Sequence, residues 1–261
     1  MSRSIAIGLA ALAGAASIAA PAIATPAIAA TAGAGTSAEA ASAKPKVVYG
    51  YAWADGPHTL RITPLKAKLD KSGGTLTYKL KPIKGAKELR VDYAGADFRR
   101  VTSECGLKET EGVVKVDKEG LGRTRCTDDD LDFVLELNPA PVRITLGRKV
   151  LIQEFVAPGS KTRTAFGTVK RVSDNAVEFR TGGKSVKLGY TLLGFNRVTK
   201  RCGDRWLANR ANVSRSGLGT KECDQRHFTK ALKTAGKPVR VKAYYDSLSG
   251  RLIDVWETTR R

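Results

Sequence analysis

In the second half of the chain, apolar side chains fall at every second position in several short stretches. Val177 and Phe179 alternate with polar neighbours across 176–181, and Val186, Leu188 and Tyr190 do so across 184–190. That is the period of strands with one buried face. Gly182-Gly183 between them suits a tight hairpin connection. The run 163–172 predicts a strand ahead of this pair, with Gly167 as a bulge candidate, and Ser173-Asp174-Asn175 predicts a turn. The period changes at Asp224. Phe228 and Leu232 lie four apart, Asp224 can cap a helix start and Gly236 can end it, which predicts a helix from 224 to about 235. Alternation returns after Pro238 with Val239, Val241 and Ala243. A turn at 246–250 then leads to a last strand, Leu252 to Trp256.

The same order is predicted earlier in the chain: strands near 59–69, 74–81 and 87–93, a weak helix near 128–137, and strands near 141–146 and 149–156. One further strand-like run, Val47 to Trp53, precedes them and resembles Val150 to Val156 and Leu252 to Trp256; either one such strand, 150–156 being the candidate, is shared between the two units, or the first closes the array. Direct identity supports a duplication. Arg100-Val101-Thr102, Cys105-Gly106, Gly120-Leu121-Gly122, Cys126 and Pro141-Val142-Arg143 recur 97 residues later as Arg197-Val198-Thr199, Cys202-Gly203, Gly217-Leu218-Gly219, Cys223 and Pro238-Val239-Arg240. Self-similarity at a fixed period marks a repeated structural unit. The fold class expected is mainly β with one short helix per unit (α+β). It consists of two tandem, duplicated small β-barrel domains at 47–157 and 158–261. Three strands, a helix and two strands is the element order of an OB-fold, so each barrel is expected to be OB-like. On this alignment Arg143 and Arg240 hold one repeat position and belong to the scaffold, and the Gly-Leu-Gly glycines serve turns that need positive φ.

Residues 1–29 read as a secretory signal peptide, with Arg3, an apolar run from Ile5 to Ala20 and the small-x-small site Ala27-Ile28-Ala29. Residues 30–46, rich in Ala, Gly, Ser and Thr, read as a flexible leader. No later run is apolar enough for membrane insertion. Export makes disulfides the default for the four cysteines. The duplication selects Cys105 with Cys126 and Cys202 with Cys223 out of three connectivities, each closure stabilising by roughly 3 kcal/mol in the chain-entropy model. Zinc would need further ligands, and neither histidine, His58 or His227, repeats, so no metal or other cofactor is expected.

Charge separates the copies. Residues 31–157 hold 21 basic and 17 acidic residues, net +4, while 158–261 hold 23 and 8, net +15. Residues 127–137 carry five carboxylates and no base, whereas 224–234 carry three bases and one acid. The acidic run has no EF-hand spacing for Ca²⁺ and suits a helix start, with packing against the basic copy as a further option. In the basic copy Arg240, Lys242 and Tyr244 project from one strand face, Lys187 projects from another strand, and the disulfide loop adds Arg205, Trp206, Arg210 and Arg215. Cations interleaved with rings suit a phosphate polymer.

No nucleophile elbow, zincin motif or phosphate loop is present, so no catalytic residue is assigned. The function expected is that of a secreted, extracellular or cell-wall-associated, non-enzymatic protein whose basic domain docks onto an anionic polymer, wall teichoic acid or nucleic acid. Two alternatives are kept. One is a module for a protein partner, such as a protease inhibitor presenting loop 106–125 or 203–222. The other is an extracellular enzyme acting on wall polymers.

Overall fold

The computed structural model describes residues 45–106, 113–157 and 159–260. The expected signal peptide and the expected leader up to residue 44 lie outside them, as does part of the first disulfide loop; Lys46, assigned to the leader, instead opens the first strand. The first copy runs β1 (Lys46–Ala54), β2 (Thr59–Ile62), β3 (Leu65–Asp70), β4 (Thr77–Pro82), β5 (Leu89–Asp92), β6 (Asp97–Arg100), β7 (Thr124–Cys126), α1 (Asp128–Leu137), β8 (Ala140–Leu146) and β9 (Leu151–Glu154). The second runs β10 (Thr162–Arg171), β11 (Ala176–Thr181), β12 (Lys184–Gly189), β13 (Gly194–Arg197), β14 (Lys221–Cys223), α2 (Gln225–Ala235), β15 (Val239–Asp246) and β16 (Arg251–Glu257). The described residues are thus mainly β, with two short helices, two large sheets and two disulfides.

The two seven-stranded sheets have one plan: β5-β2-β1-β8-β9-β6-β7 and β12-β11-β10-β15-β16-β13-β14. In the second, β12 also meets β16 in parallel, at Gly189 and Arg251. Each sheet buries its alternating apolar residues under its helix. Val142, Ile144, Ile152 and Phe98 lie against Leu131 and Leu135, and Val241, Ala243, Val255 and Phe195 against Phe228 and Leu232. The second helix has its predicted caps, and the first has a cap that was not foreseen from the sequence. Thr127 and Asp130 form a reciprocal capping box on α1, and Asp224 accepts from the Arg226 and His227 amides at the start of α2. Gly236 ends α2 at φ 61°, a conformation that suits glycine.

Several expectations change. The run Val47–Trp53 is neither shared nor a closing strand. As β1 it is the first strand of its own sheet, lying between β2 and β8 as β10 lies between β11 and β15. The expected strand 59–69 is two strands, β2 and β3, and β3–β4 is a separate hairpin with no counterpart in the second copy. Strands β6, β7, β13 and β14 were not foreseen. Asp97-Phe98-Arg99-Arg100 and Gly194-Phe195-Asn196-Arg197 each hold one apolar residue, too few to show a period. They are held by parallel pairing to β9 and β16, which are distant in sequence.

The register also revises the alignment. The pairs Gly50↔Val142 and Val142↔Glu154 in the first copy correspond to Gly167↔Val241 and Val241↔Glu257 in the second. Offsets are therefore 117 before the extra hairpin, 97 through the helix, 99 on the strand after it and 103 on the last strand. Arg143 is thus matched in space by Lys242, and Arg240 by Pro141. The Pro-Val-Arg identity is a sequence coincidence, because the second copy has two more residues between the helix core and the strand.

Candidate functional site

Beneath the candidate surface lies a scaffold element that the sequence reading missed. Arg197 is fully buried and donates from Nε and Nη2 to Glu257 at 3.2 and 2.7 Å. Its remaining N–H groups reach the carbonyls of Cys202, Asp204 and Arg205 at 2.5, 2.8 and 3.2 Å, and Glu257 accepts from the Val198 amide at 2.9 Å. The guanidinium thus fixes the start of the disulfide loop from inside, which makes a buried charge pair tolerable. Arg100 and Glu154 repeat the pair at 3.3 Å, with Arg100 donating to the Cys105 carbonyl at 2.6 Å. Burial acts to raise the Glu154 pKa, against the pull of Arg100 and the Val101 amide. The arginines matched at offset 97, but the glutamates differ by 103, which hid the pair. Cys105–Cys126 and Cys202–Cys223 are bridged as expected, with Cα separations of 5.6 and 5.8 Å.

The Gly-Leu-Gly motif has a divided role. Gly120 and Gly217 take φ +74°, as expected of turn glycines. Gly122 and Gly219 are needed for close approach: a Cβ on either would lie 2.4–2.7 Å from the backbone of the neighbouring strand that holds Arg100 or Arg197.

Above this scaffold is the outer face of the second sheet. Its cross-strand rows are Thr168–Arg240, Phe166–Lys242–Trp256 and Thr164–Tyr244–Asp254. Lys242 Nζ lies 5.2 Å from the Trp256 ring centroid, and the Arg260 guanidinium 5.7 Å from that of Phe166, both within cation–π range. At one end a cleft brings together Arg210, Lys237, Arg240 and Arg260 beside Trp206 and Leu207. Among the described residues, none of Arg205, Arg210, Arg215, Lys237, Arg240, Lys242 and Arg260 makes an ion pair. Burial raises the pKa of Asp254, at the edge of this face, with Arg251 opposing.

The structure therefore brings Arg240, Lys242 and Tyr244 onto one face, with Arg210 at its end. Arg205 lies in a neighbouring hollow with Lys237, and Arg215 is exposed in the turn before Gly217. Trp206 is partly core, stacked on Phe195 at 5.7 Å. Lys187 lies apart from this face. It bonds Glu88 of the first copy at 2.7 Å and belongs to the junction between copies. Phe166, Trp256 and Arg260 were missed. Period two over 163–172 places Phe166 outward, whereas Trp256 shares the parity of buried Leu252, and the irregularity in the β15–β16 pairing puts the two on opposite faces.

The carboxylates of the acidic run bond within their own copy, while the carbonyl of Leu137 at its end accepts from the Thr191 hydroxyl of the second copy at 2.8 Å. Asp128 accepts from the Gly95 amide at 2.7 Å, Asp132 from the Tyr93 hydroxyl, and Asp130 completes the capping box. His58, Asp129 and Asp132 place one ligand atom each within 4.8 Å of one another. Three ligands fall short of the six to eight oxygens that Ca²⁺ takes. No described helix is long and apolar enough to cross a membrane, and the two disulfides point to an oxidising compartment. No protein-family model matches the chain, and neither curated proteins nor solved structures give a significant match.

Proposed function

We propose that the chain is a secreted, non-enzymatic binding protein built of two tandem OB-like barrels, whose second barrel docks onto a phosphodiester polymer. The barrel reading draws support from connectivity. In the second copy the five strands β12-β11-β10-β15-β16 are joined in sequence, the helix falls between the third and fourth, and the fifth returns parallel to the third, the plan expected of an OB-fold.

One observation supports the ligand class above all others: the cations on β15 and in the adjoining cleft have no carboxylate partner among the described residues and lie beside aromatic rings. Such groups meet phosphates without first breaking internal ion pairs, and binding gains from counterion release. Because Lys242 and Arg260 already lie over Trp256 and Phe166, the face suits charge-led contact more than base stacking. Teichoic acid and single-stranded DNA share the phosphodiester backbone, and titrating both separates the two sources. Affinity should fall steeply between about 50 and 200 mM salt. The double substitution Arg240→Glu, Lys242→Glu should abolish binding while the fold survives. Binding that does not respond to salt, or that persists in the double variant, overturns the reading.

A further inference from the structure

A second, unrelated feature lies where the two copies meet. Tyr51, Trp53, Arg61, Lys187, Ser249 and Gly250 line a half-enclosed cleft. Arg61 is the group that sets its chemistry. Its side chain is 7% exposed, its guanidinium lies 5.1 Å from the Trp53 ring centroid, and Nη1 reaches Glu88 at 3.3 Å. Nη2 is buried and has no hydrogen-bond partner among the described residues. A buried guanidinium N–H left unpaired is costly, and each such group needs an explanation.

The surroundings are fixed on every side. Trp53 Nε1 donates to the Ser249 carbonyl at 3.1 Å, and the Gly189 amide to the Gly250 carbonyl at 2.8 Å. A Cβ on Gly189 would lie 2.7 Å from both Arg61 Nη2 and the Trp53 ring, so only glycine lets the backbone approach the guanidinium and the indole this closely. Lys187 bonds the other oxygen of Glu88 at 2.7 Å, which leaves two cations and one carboxylate at the cleft, a net of one positive charge. Asp246, behind the wall, has its oxygens engaged by the Lys161 and Leu248 amides and the Ser249 hydroxyl. Burial, then Asp246, pushes the Tyr51 pKa up to about 12, so its hydroxyl stays a donor.

None of this follows from the repeat scaffold. By the registers above, Arg61 corresponds to Glu178 and Glu88 to Ser185 in the second copy. We infer that the junction cleft is a binding site for a small organic carboxylate, with one oxygen on Arg61 Nη2, the other within reach of Lys187 or the Tyr51 hydroxyl, and the carbon body against Tyr51 and Leu65. A single charge suits the site. With Nη1 held by Glu88 the arginine offers one edge, and a phosphate dianion would face Glu88 without full compensation. Concave sites with aromatic walls and a few converging polar groups, placed at unit junctions, are the usual form of small-ligand sites. This inference concerns a different part of the molecule from the polymer-binding face, and either can fail alone.

The test is an NMR titration of the full chain at constant ionic strength, reading the Trp53 indole N–H and the Gly189 amide. The probes are acetate and glucuronate, with inorganic phosphate and glucose as comparators. The expected result is saturable movement of both signals with at least one carboxylate, at a Kd near or below about 1 mM, lost in a folded Arg61→Met variant and weakened in Lys187→Gln. Should Arg61→Met not fold, Lys187→Gln decides, because its side chain is 42% exposed and its loss leaves the core intact; unchanged affinity there overturns the inference. Absence of saturation with both carboxylates, equal shifts from phosphate or glucose, or shifts that survive in folded Arg61→Met also overturn it and leave an ordered water as the partner of Nη2.

Discussion

The same sheet face is covered in the first copy and bare in the second. In the first, Tyr49 on β1 meets Tyr78 and Phe155 at 5.5 and 6.0 Å, and Tyr78 and Leu80 of the β3–β4 hairpin bury Leu121 and Phe155 beneath them. In the second, the register puts Phe166 where Tyr49 stands, Thr258 where Phe155 stands and Trp256 where Gln153 stands, and there is no hairpin. Arg260 reaches across Phe166, which is 41% exposed. The cation in the central row changes state with its surroundings. Arg143 is tied to Glu119 at 3.0 Å, whereas Lys242 has Ser216 at the position of Glu119 and rests over a ring. One scaffold therefore presents a closed apolar face in one copy and an open basic one in the other. The net charges of +4 and +15 have a structural location in this difference.

The largest effects should come from what the copies share. Arg197→Met leaves Glu257 buried and unpaired and releases three loop carbonyls, at an expected cost of about 3–5 kcal/mol. Arg100→Met should cost less, because Arg100 and Glu154 are 12% and 8% exposed whereas Arg197 and Glu257 are both fully buried. Chemical denaturation of both variants measures the difference. Equal costs would mean that the two pairs are not graded by burial. Next comes the cover itself. Tyr78→Ala removes a buried ring from the first face and should cost ~3–4 kcal/mol, while Arg260→Ala on the second should cost under ~1 kcal/mol. A large effect of Arg260→Ala on stability would show that the second face is closed as well, contrary to the comparison.

Binding effects should be confined to the open face. Arg240→Gln and Lys242→Gln should each reduce the slope of log affinity against log salt by about 0.9 for a duplex ligand or about 0.7 for a single strand. Arg143→Gln, the spatial counterpart of Lys242, should leave it unchanged. A smaller slope in Arg143→Gln would place the polymer across both copies.

Much of this was legible in the sequence, and the failures have identifiable causes. The pairing of cysteines, the limits of α2 and the hairpin at Gly182-Gly183 follow from local chemistry and from the repeat. Strands β6 and β13 have no local signal, since distant parallel partners define them. The buried Arg–Glu pairs escaped because the last turn, between β15 and β16, is four residues longer in the second copy, which breaks the fixed offset. A separate slip, the two extra residues between the helix core and β15, made Arg143 and Arg240 look equivalent. The open face was half visible. Arg240, Lys242 and Tyr244 were found by alternation, but that Phe166 lacks a cover depends on a hairpin in the other copy, which no reading of 158–261 alone could supply.

The smaller effects are pH-dependent. The His227 amide and other donors around Asp224 hold its carboxylate well below the ordinary range. A depressed folded-state pKa contributes stability that is present above the unfolded value near 4 and is lost as pH falls through the folded one. Asp224→Ala should cost ~1 kcal/mol at neutral pH, with the difference from the parent shrinking on acidification. Asp254 has the opposite sign. Its folded pKa is raised by burial, so its ionised form opposes folding at neutral pH, and the stability present below the unfolded pKa is lost as pH rises through the folded one. It also places a negative charge in the Tyr244 row of the open face. At a separation of roughly 7 Å in water, one such charge repels a phosphate by about 0.5 kcal/mol. Polymer affinity should therefore strengthen modestly as pH falls through the Asp254 pKa, while phosphodiesters remain ionised. Asp254→Asn should raise both stability and affinity at neutral pH and flatten the pH dependence of binding. If Asp254→Asn stabilises the fold but leaves the pH profile of binding unchanged, the polymer does not reach the Tyr244 row, and the contact surface contracts to Arg240, Lys242 and the cleft beside Trp206.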